Sequence, residues 1–400
     1  MTTTIQAIEK PETDAATRDE KPVEPMSVNA TTDSVMLAAG GTGGHLFPAL
    51  ALAQELKRRG IAVDLITDMR GDRYGSNFPA RTIFQVPSAT LNGRSPVAAA
   101  KTGATLARGV AKARQILGDV NPKAMIGFGG YPSLPPMLAA RLRGIPTAIH
   151  EQNAVLGRAN RFLSRRVTAI ATSFQGVKGI DVGTAAKVRF TGNPVRDIVL
   201  EWARESYAPP ETSGPYQILI FGGSQGARFF SDIVPQTLAT YSPEARSALR
   251  IVQQAREEDV ARVEQMYKAA GIHAFVQSFF PNLPEAMAQS HLVIGRAGAS
   301  TIAELTVMGR PSILVPLPNA IDNDQLINAR RLADAGGAIC LEQKDITVER
   351  LAMEIGHLLE APEKLAVMAT AARNAGRPNA VVLLANLVEE LMGRWTPATI

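Results

Sequence analysis

Apolar and polar positions along this chain follow a recurring order. A short apolar run of strand type is followed by a glycine-rich turn, then by a segment whose apolar residues recur three and four positions apart. Val35-Met36-Leu37-Ala38-Ala39 is the first such run, Gly40-Gly41-Thr42-Gly43-Gly44-His45 its turn, and 47–59 the helix, with Leu50, Ala53 and Leu56 on neighbouring turns. Pro48 is tolerated there if it lies in the first turn. The same reading predicts strands at 61–67, 82–87, 124–127, 145–150, 170–172 and 188–191, and helices at 96–117, 135–143 and from Asn160. A linker-like stretch, 205–216, is rich in Pro, Ser and Glu. Beyond it the order starts again: strands at 217–221, 250–253, 274–277, 292–294, 312–315 and 338–341. Helices are predicted after Ala227 and at 257–270, 283–289, 299–309, 323–335, 348–359, 362–373 and 379–392. The segments LAAGGTGGHLFPAL and LIFGGSQGARFFSD align Gly40 with Gly222, so the chain reads as two similar α/β halves.

Composition adds compartment and charge. At 400 residues, two domains are expected. With 46% hydrophobic and 20% charged residues the profile is globular. No window approaches 18 consecutive apolar residues, and the N-terminus lacks an apolar signal region, so neither a spanning helix nor a signal peptide is expected. Cys340 is the single cysteine, which excludes an internal disulfide and fits a reducing compartment. Residues 1–33 carry three basic residues against seven acids and read as a disordered acidic tail, which leaves the body more basic than the overall +5. A basic body suits an anionic partner: nucleotide phosphates, an anionic membrane or nucleic acid. Few aromatics (5%) and the lack of a nucleic-acid motif argue against nucleic acid.

The chemistry concentrates at 293–325. Leu292, Val293 and Ile294 form a strand, Gly295-Arg296-Ala297-Gly298 a tight turn, and Ala299-Ser300-Thr301 the start of a helix that carries Glu304 one turn in. A strand, a glycine turn and a helix start gather free N–H groups and the positive end of the helix dipole into an anion site. Glu304 stands where a carboxylate grips two ribose hydroxyls, and Asp322-Asn323-Asp324-Gln325 supplies polar groups for sugar hydroxyls. The plainer reading is an ordinary βαβ unit with a capped helix. The turn at Gly40 is no dinucleotide fingerprint, because Leu46 stands where the last glycine belongs. His45 is a base or a donor to an anion, or simply a helix-start contact. Asn153 and the loop at Gly129 lie outside strand ends, where parallel sheets bind ligands. Lys101, Arg108 and Lys112 share one face of the 96–117 helix, as a solvated surface or as a contact for anionic lipid.

GGTGGHLFPALALA, GFGGYPS, HEQNAVLGRAN, TGNPVR, GGSQGAR and RAGASTIAEL…DNDQ come in this order over most of residues 35–340. On these segments the chain resembles the bacterial peptidoglycan enzymes that transfer N-acetylglucosamine (GlcNAc) from its UDP derivative. Their acceptor is undecaprenyl-pyrophosphoryl-N-acetylmuramoyl-pentapeptide (lipid I), and the product is lipid II. The resemblance implies an α/β fold of the GT-B glycosyltransferase type, two Rossmann-like domains whose parallel sheets face across a cleft. Residues 34–195, joined by a helix at 376–395, would face acceptor and membrane; 196–375 would bind UDP-GlcNAc. Donor contacts carried over are Thr42, Gly43, Gly44, Asn153, Arg196, Ser224, Phe280, Ala299, Ser300, Thr301, Glu304, Asp324 and Gln325. Phe280 replaces a usual aliphatic residue, and Asp324 departs from a common pair of glutamines. Tyr131 and His45 would face the acceptor.

The family's donor and product linkages imply an inverting displacement by the acceptor 4-hydroxyl, with His45 as base or a cleft carboxylate in its place. Glu304 is then the ribose ligand and not the base. No obligatory metal is implied, with free Mg²⁺ as an optional assistant, and no Asp-x-Asp signature stands between apolar strands. The partners implied are UDP-GlcNAc, lipid I, an anionic membrane surface docked through Lys101, Arg108 and Lys112, and other cell-wall synthesis proteins. The place implied is the cytoplasmic face of the cell membrane, as a peripheral protein. The rival readings are another GT-B enzyme, a UDP-sugar 2-epimerase or a glycolipid glucosyltransferase, and a non-catalytic nucleotide-binding protein.

Overall fold

Short apolar runs bounded by glycine and proline become parallel strands here because helices cover both of their faces, so nothing along them needs to be polar. The structure, a computed structural model, describes residues 33–40, 43–68, 78–89, 96–223, 228–318, 320 and 322–394. Seven strands form the first sheet: β1 (Ser34–Ala38), β2 (Ala62–Thr67), β3 (Ile83–Gln85), β4 (Ala124–Gly127), β5 (Thr147–Glu151), β6 (Ala169–Thr172) and β7 (Val188–Phe190). Six form the second: β8 (Tyr216–Phe221), β9 (Leu249–Gln254), β10 (His273–Gln277), β11 (Leu292–Gly295), β12 (Ser312–Leu314) and β13 (Ala338–Cys340). The first sheet runs β3-β2-β1-β4-β5-β6-β7 and the second β10-β9-β8-β11-β12-β13. Each therefore reverses direction beside its first strand, between β1 and β4 and between β8 and β11. Such a switch point opens a crevice at the carboxyl ends of the strands. The repeat read from Gly40 and Gly222 is thus a repeat of topology.

The first half carries α1 (Gly43–Arg58), α2 (Pro96–Val120), α3 (Leu134–Leu142), α4 (Arg158–Ser164) and a single turn, α5 (Val182–Ala185). The second carries α6 (Asp197–Trp202), α7 (Arg228–Ala239), α8 (Pro243–Ser247), α9 (Val260–Ala269), α10 (Leu283–Gln289), α11 (Ala299–Met308), α12 (Asp324–Asp334), α13 (Val348–Leu359) and α14 (Pro362–Ala375). The last helix, α15 (Ala380–Leu391), returns to the first sheet. Its Leu384, Ala385, Leu387 and Val388 are buried with Leu46, Leu52 and Leu56 of α1. Val195, Val199 and Ala203 are buried with Leu219 and Phe221, so the chain has reached the second sheet by Val195.

Two expectations need correction. The helix after β1 begins at Gly43, not at Phe47, so the loop is shorter and Pro48 lies inside the helix. Proline removes only one bond, to the Gly44 carbonyl, and the turn ahead of it stays helical. The acidic tail does not extend to Asp33, whose carboxylate accepts from Arg394 at 2.8 Å; the remainder of that tail lies outside the described residues. Helices α5, α6 and α8 carry too few residues for an apolar period to register.

Candidate functional site

Three loops at the carboxyl edge of the first sheet converge on His45. Helix α1 brings the imidazole over the backbone that leaves β4, where Gly129 and Gly130 have φ of +84° and +71°. A Cβ on Gly129 would lie 3.4 Å from His45 Cε1, and one on Gly130 3.2 Å from Cδ2 and 3.3 Å from Nε2. The left-handed conformation favours glycine at both positions, and at Gly130 the imidazole leaves little clearance besides. Gly43 is crowded in the same way, its Cβ position 3.1 Å from the Phe47 ring. Tyr131 opens a short 3₁₀ turn, Tyr131–Ser133, beside this loop.

At the end of β5, His150 is fully buried, and burial pushes its imidazole down to about 4. Its Nε2 lies 3.0 Å from the Gly192 carbonyl oxygen, and its Nδ1 lies 3.0 Å from Gln152 Nε2. Gln152 Nε2 also donates to Phe128 O (3.0 Å) and His150 O (3.1 Å), while its Oε1 lies 3.3 Å from His45 Nδ1. Glu151 is buried and its carboxylate accepts from Asn153 N, Gly157 N and Asn160 Nδ2 at 3.0, 2.9 and 2.8 Å. Burial raises its pKa and those donors oppose the shift. Glu151 therefore folds the loop that carries Asn153. With its oxygens engaged inward, it is a poor base for a bound substrate.

Helix α11 leaves β11 at the facing edge. Its N-cap Gly298 provides no side-chain cap, and Ser300 Oγ is buried without a hydrogen-bond partner among the described residues. The first-turn N–H groups at Ala299, Ser300 and Thr301 thus remain available for an anion. The helix ends at Gly309 in the left-handed conformation, φ +62°. Gly222 N donates to Gln254 Oε1 (3.3 Å), and Gln254 Nε2 donates to Ser278 O (3.2 Å), which ties the loop after β8 to the segment bearing Phe280. The Phe280 ring packs edge-on against Phe275 at 5.9 Å. Gln325 Oε1 accepts from Leu317 N (3.0 Å) and Asp324 Oδ1 from Gln325 N (2.9 Å), so both residues also shape the start of α12. Arg296 is buried against Phe229 and Phe230 and donates to Val315 O, Pro316 O and Gln343 Oε1. Burial lowers its guanidinium to about 10.

Several contacts join the two edges. Arg196 Nη2 donates to Glu304 Oε1 at 3.0 Å, and its guanidinium lies 4.3 Å over the Phe47 ring of α1. Burial pushes the Glu304 carboxyl up and Arg196 pulls it back. Asn193 Nδ2 donates to Ala299 O (3.2 Å). Asn328, fully buried on α12, accepts from Ala154 N at 2.9 Å and donates to Asn153 Oδ1 at 3.0 Å and Ala297 O at 3.2 Å. The sequence-predicted residues thus fall on two facing edges. Gly43, Gly44, His45, Tyr131 and Asn153 lie on one; Phe280, Ala299, Ser300, Thr301, Glu304, Asp324 and Gln325 lie on the other, with Arg196 between. Thr42 and Ser224 lie outside the described residues.

Lys101, Arg108 and Lys112 are exposed on α2, and Leu142 of the adjoining α3 is 64% exposed. A cavity of about 700 Å³ lies farther along the cleft, between Phe174, Phe190 and Asn193 on one side and Ile302 and Arg331 on the other. Ala299 is the one predicted site residue lining it, because α11 turns Glu304 toward Arg196 instead. Gln152, Asn328, Gln254 and Arg296 carry structural roles that sequence reading did not assign. Asn328 lies one helical turn past Asp324 on α12, a spacing that puts them on one face and could have exposed it.

Comparison with known proteins agrees with this arrangement. The model of the glycosyltransferase family 28 N-terminal domain matches residues 35–172, and that of the C-terminal domain residues 217–384. A UDP-N-acetylglucosamine–N-acetylmuramyl-(pentapeptide) pyrophosphoryl-undecaprenol N-acetylglucosamine transferase of Rhodopseudomonas palustris is 52% identical over 359 residues, 90% of this chain and 96% of its own length. A relative of the same name from Allorhizobium ampelinum is 49% identical over 361 residues, 90% of this chain and 96% of its own. The crystal structure of Acinetobacter baumannii MurG superposes with a TM-score of 0.72 at 30% identity, covering 90% of this chain and 99% of that one. A Neisseria meningitidis UDP-GlcNAc 2-epimerase superposes at 0.63 with 15% identity, covering 90% of this chain and 100% of that one, a likeness of fold alone. The two facing Rossmann-like sheets are the GT-B fold.

Proposed function

The chain belongs to glycosyltransferase family 28, and we propose that it transfers GlcNAc from UDP-GlcNAc to the 4-hydroxyl of N-acetylmuramic acid in lipid I, forming lipid II for peptidoglycan. The observation that carries this reading is the uncapped N-terminus of α11, tied through Asn328 to Asn153 across the cleft. One edge is built for an anionic leaving group and the other for a nucleophile. The epimerase likeness does not compete, because relatives about half identical over nine-tenths of the chain carry the transferase name.

In the proposed mechanism the diphosphate rests on the N–H groups of α11 with the Ser300 and Thr301 hydroxyls, and Ser224 with the Gly222 loop. Glu304, steadied by Arg196, takes the ribose, and Phe280 borders the uracil. Gln325, Asp324 and Asn153 surround the donor sugar, with Thr42, Gly43 and Gly44 behind it. The acceptor hydroxyl beside Tyr131 attacks C1 from the face opposite UDP. The new C1–O bond forms as the bond to the β-phosphate oxygen breaks, and that electron pair stays on UDP. The hydroxyl proton passes to His45. Charge growing on the diphosphate meets the helix dipole, an electrostatic term that replaces a metal ion. Activity should accordingly persist in EDTA, with free Mg²⁺ at most a modest enhancer.

The acceptor's lipid places the reaction at a membrane. Among the described residues no helix is long and apolar enough to cross one. We assign membrane contact to the exposed basic face of α2 with Leu142, on the cytoplasmic side, as a peripheral association; contacts with other cell-wall synthesis proteins fit the same place. The test is transfer of labelled GlcNAc from UDP-GlcNAc to a lipid I analogue, beside UDP-glucose and Glu304→Ala. Transfer from UDP-GlcNAc that falls sharply in Glu304→Ala is expected. Absence of transfer from either donor would overturn the reading.

A further inference from the structure

We propose that Gln152 is a positioning residue that holds His45 with its proton on Nδ1, so that Nε2 is the nitrogen that accepts the acceptor's hydroxyl proton. This rests on His45 being the base. The argument begins with the orientation of the Gln152 side chain, which is 1% exposed. One of its terminal atoms lies 3.0 Å from Phe128 O and 3.1 Å from His150 O. Two carbonyl oxygens accept only from a donor, so that atom is the amide nitrogen. The other terminal atom, 3.3 Å from His45 Nδ1, is then the amide oxygen. An oxygen that only accepts is satisfied by N–H at Nδ1, which puts the lone pair of neutral His45 on Nε2.

The device extends one residue inward. Gln152 Nε2 also faces His150 Nδ1 at 3.0 Å, so its two N–H groups are shared among three acceptors; Nδ1 of His150 carries no proton, and its Nε2–H donates to Gly192 O at 3.0 Å. His150 is therefore neutral, as its burial also dictates. A chain of defined polarity runs from Gly192 through His150 and Gln152 to His45. The Gly129-Gly130 backbone confines the ring from its other side, where a Cβ on Gly130 would lie 3.2 Å from His45 Cδ2. An amide in this place orients an imidazole without the strong stabilisation of the cation that a carboxylate would add. The ring can then take up a proton in one step and release it in the next. Among the described residues, His150 of β5 is a titratable group that interacts with the ring.

Nitrogen-15 NMR of histidine-labelled protein tests the tautomer directly, with the His45 signals assigned by their loss in His45→Gln. A protonated Nδ1 and an unprotonated Nε2 are expected in the wild type, a readout that needs no variant at Gln152. Gln152→Met keeps the volume and removes the acceptor. It should mix the tautomers, lower kcat by roughly 10- to 100-fold and leave the KM for UDP-GlcNAc within about twofold. The acidic limb of its kcat/KM profile should move to lower pH, because the imidazolium loses its hydrogen-bond acceptor. A wild-type His45 protonated on Nε2, or a Gln152→Met protein with unchanged tautomer and unmoved acidic limb, would overturn the positioning role. A mixed tautomer with unchanged kcat would instead overturn His45 as the base, and the role of Gln152 with it.

Discussion

Asn328 Nδ2 donates to Asn153 Oδ1 at 3.0 Å, a side-chain bond between the second half of the chain and the first. The same amide accepts from Ala154 N and donates to Ala297 O. One buried group therefore sets the loop after β5 against the turn that begins α11. Asn328→Asp keeps the acceptor for Ala154 N but turns an oxygen toward Asn153 Oδ1 and Ala297 O. Losing these bonds and leaving a buried group unsatisfied costs about 1–3 kcal/mol. The expected result is a KM for UDP-GlcNAc raised about 5- to 100-fold, read by steady-state kinetics.

The pair of Arg196 and Glu304 is mostly buried, with side-chain exposures of 19% and 8%. Arg196→Ala leaves the carboxylate buried without its partner, a loss of about 3 kcal/mol of stability at neutral pH. Adding Glu304→Gln should restore part of that stability by removing the stranded charge, while donor binding stays weak. Arg196→Lys should rescue poorly, since an ammonium cannot stack on Phe47 in the same way. Urea melts and UDP titrations measure both quantities.

His150 makes acid stability predictable. Its pKa falls from 6.5 in the unfolded chain to about 4 in the fold. The unfolded state thus binds the proton first, so this residue's contribution is complete above pH 6.5 and lost as pH falls toward 4. The full difference is about 3 kcal/mol. Denaturant midpoints at pH 7 and pH 4 should therefore differ less in His150→Asn than in the wild type.

Gly130→Ala tests the packing of the base. Its φ of +71° strains an L-residue by about 1–2 kcal/mol. The added Cβ sits 3.2 Å from His45 Cδ2, so the ring must shift by tenths of an ångström. An expected drop in kcat of tenfold or more, with UDP affinity unchanged, would separate chemistry from donor binding.

Reversing Lys101, Arg108 and Lys112 to glutamate should weaken binding to anionic vesicles at least about a hundredfold, since each basic residue at such a surface contributes about 1 kcal/mol. UDP binding should be unaffected. Co-sedimentation with vesicles of defined anionic content decides this, and unchanged binding would refute the assignment of this face.

The doubled α/β architecture and most of the residues on both edges of the cleft are legible in the amino-acid sequence. Those features are local: a buried strand is a continuous apolar run, a phosphate-type turn is a set of glycines, and Ser300 and Glu304 stand at fixed offsets from them. The start of α1 at Gly43 is not legible there, because Pro48 resembles a first-turn proline wherever the helix begins. What these residues do to one another emerges from the folded chain. His45 and Gln152 are more than a hundred positions apart, and so are Arg196 and Glu304, Asn153 and Asn328. Each pair meets only because parallel strands carry their carboxyl ends to a common edge and two such edges face each other. Hydrogen-bond polarity, which gives Gln152 its role, depends on which carbonyls lie within 3 Å of an amide. No pattern of neighbouring residues along the chain encodes that distance.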